Sequence, residues 1–214
     1  MQIDPKTLNP VQSHRLLIGC IVPRPIGFVS TVGEDGVPNA APFSFFNGVS
    51  TNPPMVMISV SHRRGGEKKD TLKNIERSRE FVVNVIDEAL ADRMNQAATD
   101  FPSGLSEFTE AGLTARQSVM VQVPRIGEAP IQMECKLTHL TEVSRASTVI
   151  IGEVIQLHVR DDLLQDGVVD IERLQPIGRL GGNLYCRVQE VFSMERPTYT
   201  PEPGIQSTRK EASR

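Results

Sequence analysis

Ile131-Gln132-Met133-Glu134-Cys135-Lys136-Leu137-Thr138 alternates apolar with polar residues at every step. A period of two puts successive side chains on opposite faces, so the segment predicts a half-buried β-strand. Thr148 to Val159 reads as its antiparallel return, across a turn at Ser144-Arg145-Ala146-Ser147. No stretch from Ala129 to Val159 has helical spacing. A doubly wound parallel sheet needs helices alternating with its strands, so this region decides for an antiparallel, mainly β fold.

Working outward, Ile26 to Val32 predicts another strand. Gly33-Glu34-Asp35-Gly36 supplies a hairpin turn, and Pro38 to Phe46 the second arm. Pro53-Pro54 breaks the chain before Met55-Val56-Met57-Ile58-Ser59-Val60, an almost continuous apolar run that predicts an interior strand. Glu80 to Ile86 is a further strand. Helices are expected at Val11–Ile21, stopped by Pro23 and Pro25, at Asp70–Arg77, with Asp70 and Thr71 as N-cap candidates, and at Asp87–Ala98, where Leu90, Met94 and Ala97 share a face. Thr99 to Gly112 reads as a loop with one helical turn, and Leu184 to Met194 as a last extended segment. The sum is a β-barrel with inserted helices: one domain over 1–194 with an N-terminal helix, then a Pro-rich, charged tail at 195–214.

The chain has 214 residues, with 23 Lys+Arg against 26 Asp+Glu, so 23 − 26 = −3. Aromatics are only 5% and tryptophan is absent. That balance and the scarcity of stacking rings argue against a nucleic-acid partner. No secretory leader or membrane-length apolar run is legible. Cys20, Cys135 and Cys186 are odd in number and widely spaced, which predicts small buried residues in a reducing cytoplasm rather than disulfides or zinc. The four histidines lack metal-site spacing; no G-x-S-x-G occurs, and no G-x-G-x-x-G follows a strand. No catalytic residue and no metal ligand is therefore assigned, and the expected partner is a small soluble molecule.

Two segments carry candidate binding chemistry. Ser44-Phe45-Phe46-Asn47-Gly48-Val49-Ser50-Thr51-Asn52-Pro53-Pro54 packs hydroxyls, an amide and a glycine between two strands. It suits wrapping a polar planar ligand, or it is a loop capped by its own Asn and Ser side chains. Ser59-Val60-Ser61 ends a strand, His62 to Lys69 is a basic loop, and Asp70-Thr71 starts a helix. Free N–H groups at a helix start, with Lys69 and the Thr71 hydroxyl, suit a phosphate; the plain alternative is a solvated basic loop with an ordinary cap. Together the segments describe a pocket for a phosphorylated aromatic cofactor.

Pro23-Arg24-Pro25-Ile26-Gly27-Phe28-Val29-Ser30-Thr31, Pro38-Asn39 through Pro54, and Lys69-Asp70-Thr71-Leu72-Lys73-Asn74-Ile75 resemble the flavin reductase-like, FMN-binding split-barrel family. Ala129-Pro130, Glu134-Cys135, Ile151-Gly152-Glu153-Val154 and Arg179-Leu180-Gly181-Gly182-Asn183-Leu184-Tyr185 continue the resemblance. It implies a six-stranded Greek-key-type split barrel and a homodimer with FMN near the subunit interface. It also implies hydride transfer from NADH or NADPH to flavin, with an oxygenase or electron-acceptor protein as a further partner. By resemblance, Ser44, Phe45, Phe46, Asn47, Gly48, Val49 and Ser50 surround the ring and ribityl chain. Ser59, Val60 and Ser61 border the cofactor, Ser30 and Thr31 flank the ring, and Lys69, Asp70 and Thr71 lie at the phosphate, with Asp70 capping the helix or orienting Lys69. His158, Arg179 and Tyr185 are candidates for the nicotinamide side, or for strand packing and a surface ion pair. A flavoredoxin-like electron carrier and a non-catalytic flavin-binding protein are the alternative functions.

Overall fold

A computed structural model describes residues 1–63, 65–102 and 104–199. Seven strands, one more than the resemblance implies because Phe46–Thr51 pairs as a strand, form one sheet in which every pair is antiparallel. They are β1 (Gly27–Val32), β2 (Pro38–Phe43), β3 (Phe46–Thr51), β4 (Pro54–Ser61), β5 (Glu80–Val85), β8 (Ile131–Ser144) and β9 (Ser147–Val159), in the order β2-β1-β5-β8-β9-β4-β3. Short strands pair in twos: β6 (Ala115–Arg116) with β7 (Arg125–Ile126), β10 (Leu164–Gln165) with β11 (Val168–Val169), and β12 (Ile177–Arg179) with β13 (Tyr185–Arg187). The helices are α1 (Pro10–Cys20), α2 (Asp70–Ser78), α3 (Ala91–Ala97) and the single turns α4 (Glu107–Glu110) and α5 (Ile171–Leu174). The mainly β barrel with inserted helices stands as expected. No helix among the described residues is long and apolar enough to cross a membrane.

Curling brings β3, at one edge of the sheet, against β1, next to the other edge: a Cβ built on Gly27 of β1 would lie 3.0 Å from the Phe46 ring of β3. Inside, Val29, Ile58, Val60, Phe81, Val83, Cys135 and Ile150 meet Leu72 and Ile75 of α2, which plugs the barrel. The outer face of β1 and β5 is covered too, because Phe28 and Ile86 pack with Leu90, Met94 and Phe108 under α3 and α4. This two-sided burial is why β1 is buried from Gly27 to Thr31, the polar Ser30 and Thr31 included. Gly152 of β9 is where the Phe81 ring crosses the strand, and a Cβ there would stand 2.6 Å from Phe81 Cε1. Gly152→Ala is therefore expected to cost about 2 kcal/mol through overpacking, read as a lower urea midpoint with unchanged m-value.

Several sequence expectations change. The second arm stops at Phe43, and Phe46–Thr51 is strand rather than loop, because Phe46, Val49 and Thr51 suit a strand and the prolines close its hairpin onto β4. β4 buries only Val56, Ile58 and Val60; Met55, Met57 and Ser59 face outward and are half-buried, so it is amphipathic. On β8 the polar Gln132 and Glu134 are buried as well, since residues 117–124 and 125–126 cover that face. Asp87–Ala98 divides into a 3₁₀ turn at Glu88–Leu90, capped by Asp87, and α3. Past Tyr185–Arg187 the expected extended segment has no regular partner. Only Cys135 is buried; Cys20 is exposed and Cys186 half-buried. Of the expected tail, 200–214 lies outside the described residues, as do Arg64 of the basic run and Ser103 of the expected loop.

Candidate functional site

β4 delivers Ser59 and Ser61 to one end of the barrel, and the chain returns from its basic loop to start α2 after Lys69. These residues line a cavity of about 200 Å³ together with Ser44 and Phe45 of the β2–β3 bend. Its remaining walls come from Pro42 and Phe43, from Arg24 and Arg179, and from His14 and Ile18 on α1. Among the described residues it has three strong cations, Arg24, Lys69 and Arg179, and no carboxylate in its lining.

Arg24 is only 4% exposed and has carbonyls in place of an anion. Its Nη1 donates to Ile18 O and Ile21 O, each at 2.6 Å, and Nη2 to Leu180 O at 2.9 Å, while Nε faces Ser44 Oγ at 3.4 Å. Burial, then the Arg179 charge, lowers the affinity of this guanidinium for its proton. It stays charged nonetheless, as arginines do. Arg24 and Arg179 also exchange backbone hydrogen bonds at 2.9 Å, which ties β12 to the entry of β1. Arg179 lies 4.4 Å over the Tyr185 ring and donates to Gly182 O at 2.6 Å.

α2 begins with Lys69 as N-cap and without a side-chain cap, so neither Asp70 nor Thr71 caps it. The N–H groups of Asp70 and Thr71 open the helix without an intrahelical acceptor. Asp70 pairs instead with Arg63 at 3.0 Å and Lys73 at 3.6 Å, so it does not orient Lys69. The Thr71 hydroxyl donates to Asn39 Oδ1 at 3.2 Å and is buried, which commits its proton away from the cavity. On that far side lies a separate cavity of about 490 Å³ bordered by Glu34, Asp35, Asp70 and Glu107. Burial raises the Glu107 carboxyl above its ordinary value, against hydrogen bonds from Ala40 and Asn39. An anion is therefore favoured on the Lys69 side and repelled from the other.

Of the residues named from sequence, Ser44, Phe45, Ser59, Ser61 and Lys69 meet at the cavity. Ser30 and Thr31 do not: both are fully buried, with hydroxyls donating to Pro124 O at 2.7 Å and Asn39 Oδ1 at 3.2 Å. Val60 points into the barrel core, and Phe46 packs against that core. Asn47, Gly48 and Val49 are exposed on the edge strand β3, with Ser50 half-buried. There the self-capping alternative holds: Asn47 Oδ1 accepts from Gly48 N at 2.9 Å and Ser50 Oγ from Asn52 N at 3.3 Å. His158 stands apart, bonded to buried Glu134 at 2.6 Å.

Sequence reading missed His14, Ile18, Pro42 and Phe43, and Arg24 entered only as part of a motif. An arginine between two prolines was the available signal. It also missed a larger cavity, about 640 Å³, lined by Met94, Asn95, Ile177, Asn183, Tyr185 and Arg187 and sharing Arg179 with the first. Of its α3 residues, the sequence spacing singles out only Met94, as part of an apolar face.

The chain is 39% identical to nitrilotriacetate monooxygenase component B from Bacillus cereus, with a TM-score of 0.87 over 91% of this chain and 98% of that one. It is 37% identical to the 2-nitrobenzoate 2-nitroreductase NbaA of Pseudomonas fluorescens, with a TM-score of 0.86 over 95% and 100%. A Shewanella frigidimarina protein described as having a split barrel domain shares the fold at 18% identity, with a TM-score of 0.79 over 94% and 100%. The model of the flavin reductase like domain matches residues 18–176, and the chain belongs to that family.

Proposed function

We propose that this protein is an FMN-dependent oxidoreductase that accepts hydride from NADH or NADPH. The observation that carries the reading is the cation-lined cavity at the open start of α2. Lys69, the N–H groups of Asp70 and Thr71, and the Ser59 and Ser61 hydroxyls form a donor set suited to a phosphate. Phe45 and the backbone from Pro42 to Ser44 offer one apolar surface and short polar groups to a planar ring. FMN, when bound, supplies the hydride-accepting centre; the protein supplies orientation and electrostatics.

Each wall has a stated part in this reading. Arg24 and Arg179 place positive charge beside the cavity, which favours any negative charge that builds up there on reduction. Arg179 divides the cavity from the larger one, so a second reactant held by Asn95, Asn183 and Arg187 would lie across a single side chain from it. Tyr185 braces that side chain from below. No acid or base in the protein is required, since hydride passes between two bound molecules.

The relatives support a downstream acceptor. One is a monooxygenase component and one a nitroaromatic reductase, so electrons are proposed to leave for an oxygenase partner or a small acceptor. A homodimer and a reducing cytoplasm complete the proposal; the free, exposed Cys20 suits the latter. The test is anaerobic mixing of the FMN-loaded protein with NADH or NADPH, followed by bleaching of the flavin. Bleaching faster than that of free FMN is expected. Equal rates would overturn the reductase reading in favour of an electron carrier.

A further inference from the structure

We propose that α1 is a flap over the cation-lined cavity and that Arg24 is its latch, so that opening of α1 sets the rate of cofactor exchange. The inference rests on the reading that FMN occupies this cavity. No residue of α1 from Pro10 to Cys20 is buried, yet His14 and Ile18 form part of the cavity wall. The other walls belong to the sheet, to the β2–β3 bend, to the start of α2, or to the Arg24–Arg179 bridge, each tied in by backbone hydrogen bonds. Elements without buried apolar contacts are the ones that open at low free-energy cost.

With α1 in place the cavity is a cleft of about 200 Å³, open to solvent on one side. Pockets that enclose organic ligands run about 300–1,000 Å³, so enclosing a flavin here requires a wall to move. What holds α1 down is one guanidinium: Arg24 Nη1 bonds the Ile18 and Ile21 carbonyls at the end of the helix, at 2.6 Å each. A cation at a helix C-terminus satisfies the last carbonyls and meets the negative end of the dipole. Arg24 is itself fixed from behind by Leu180 and by its backbone pairing with Arg179. The latch is thus rigid and the flap is not.

A disulfide staple provides the test. A Cβ built on Gly181 lies 3.8 Å from the Gly19 Cα, near enough for a bridge between cysteines at the two positions. Gly19 has no atom within 4 Å of its own built Cβ, so both sites accept the side chain. The variant Gly19→Cys, Gly181→Cys carries Cys20→Ser and Cys186→Ser; buried Cys135, whose thiol burial holds protonated, stays inert. The protein is loaded with FMN, half is oxidised and half kept reduced with a phosphine, and FMN release is followed by its fluorescence on dilution. Release from the stapled form is expected to be at least about tenfold slower than from the same protein reduced. Arg24→Gln is expected to accelerate release in the unstapled chain and to leave it slow in the stapled one, which separates the latch from the charge that Arg24 lends the cavity; equal acceleration in both would overturn the latch. Equal release from the two redox forms, as when a second copy of the chain pins α1, overturns the flap and leaves the FMN reading standing. Failure of the reduced form to bind FMN overturns that reading, and the flap with it.

Discussion

Lys69→Ala is expected to weaken FMN binding about 100-fold, equivalent to about 2.7 kcal/mol, while riboflavin affinity changes little. The reason lies in how the neighbouring cations are engaged. Arg63 is paired with Asp70 at 3.0 Å, Lys68 with Glu76 at 2.6 Å and Lys73 with Glu67 at 2.9 Å. Among the described residues Lys69 has no such carboxylate, is half-buried and faces the cavity, so its charge is available to a ligand. Riboflavin lacks the phosphate and loses nothing when the ammonium goes. Parallel titrations of both ligands, at low and at moderate salt, check the point, because a charge contact weakens with ionic strength. Equal losses for the two ligands would move the phosphate away from Lys69. Thr71→Ala is a different experiment, since that hydroxyl serves Asn39 and its loss acts on the fold.

Glu134→Ala is expected to cost about 3 kcal/mol of stability, a fall of about 6–12 °C in Tm, with no direct effect on the cavity. The carboxylate is fully buried on β8 and holds the covering segment in place. It accepts from Val119 N at 2.8 Å, Met120 N at 2.6 Å and His158 Nε2 at 2.6 Å, with Arg125 Nε at 3.9 Å. Desolvation alone would raise this carboxyl; its donors outweigh that and hold it below the ordinary glutamate value. A lowered folded-state pKa means stability that is complete above the unfolded value, about 4.3, and lost as pH falls through the lower folded one. The wild-type protein should therefore lose this contribution in acid below about pH 4, and Glu134→Gln should lack it at neutral pH. Urea titrations at both pH values measure it.

The barrel was legible because its evidence is local. Alternation over 131–138, Gly-rich turns and paired prolines each act within a few residues, and they place β1, β4, β5 and β9 to within a residue of their bounds, though not the end of β2. β3 was misread because Asn47, Gly48 and Ser50 are turn formers, while the partner that makes the segment a strand, β4, follows only after Pro53 and Pro54. For the cavity, Ser59, Ser61 and Lys69 were visible as the end of a strand and the start of a helix. Ser30 and Thr31 looked equally available. Their hydroxyls are taken by Pro124, 94 residues away, and by Asn39, a commitment that no local pattern displays. Arg24 reaches Leu180 across 156 residues for the same reason, and the cationic wall it forms with Arg179 exists only after folding.

Electrostatics sharpen what composition hid. A net charge of −3 gives no hint of an anion site, yet folding separates the charges. Arg24, Lys69 and Arg179 gather on one side of the α2 start, and Glu34, Asp35, Asp70 and Glu107 on the other. Such a division gives direction to a phosphate without a strongly basic chain.

Titration of the purified protein with FMN decides whether the cation-lined cavity holds that cofactor. Saturable binding is expected, with a shifted visible spectrum and quenched flavin fluorescence. A colourless protein whose addition leaves the FMN spectrum and fluorescence unchanged would contradict the account.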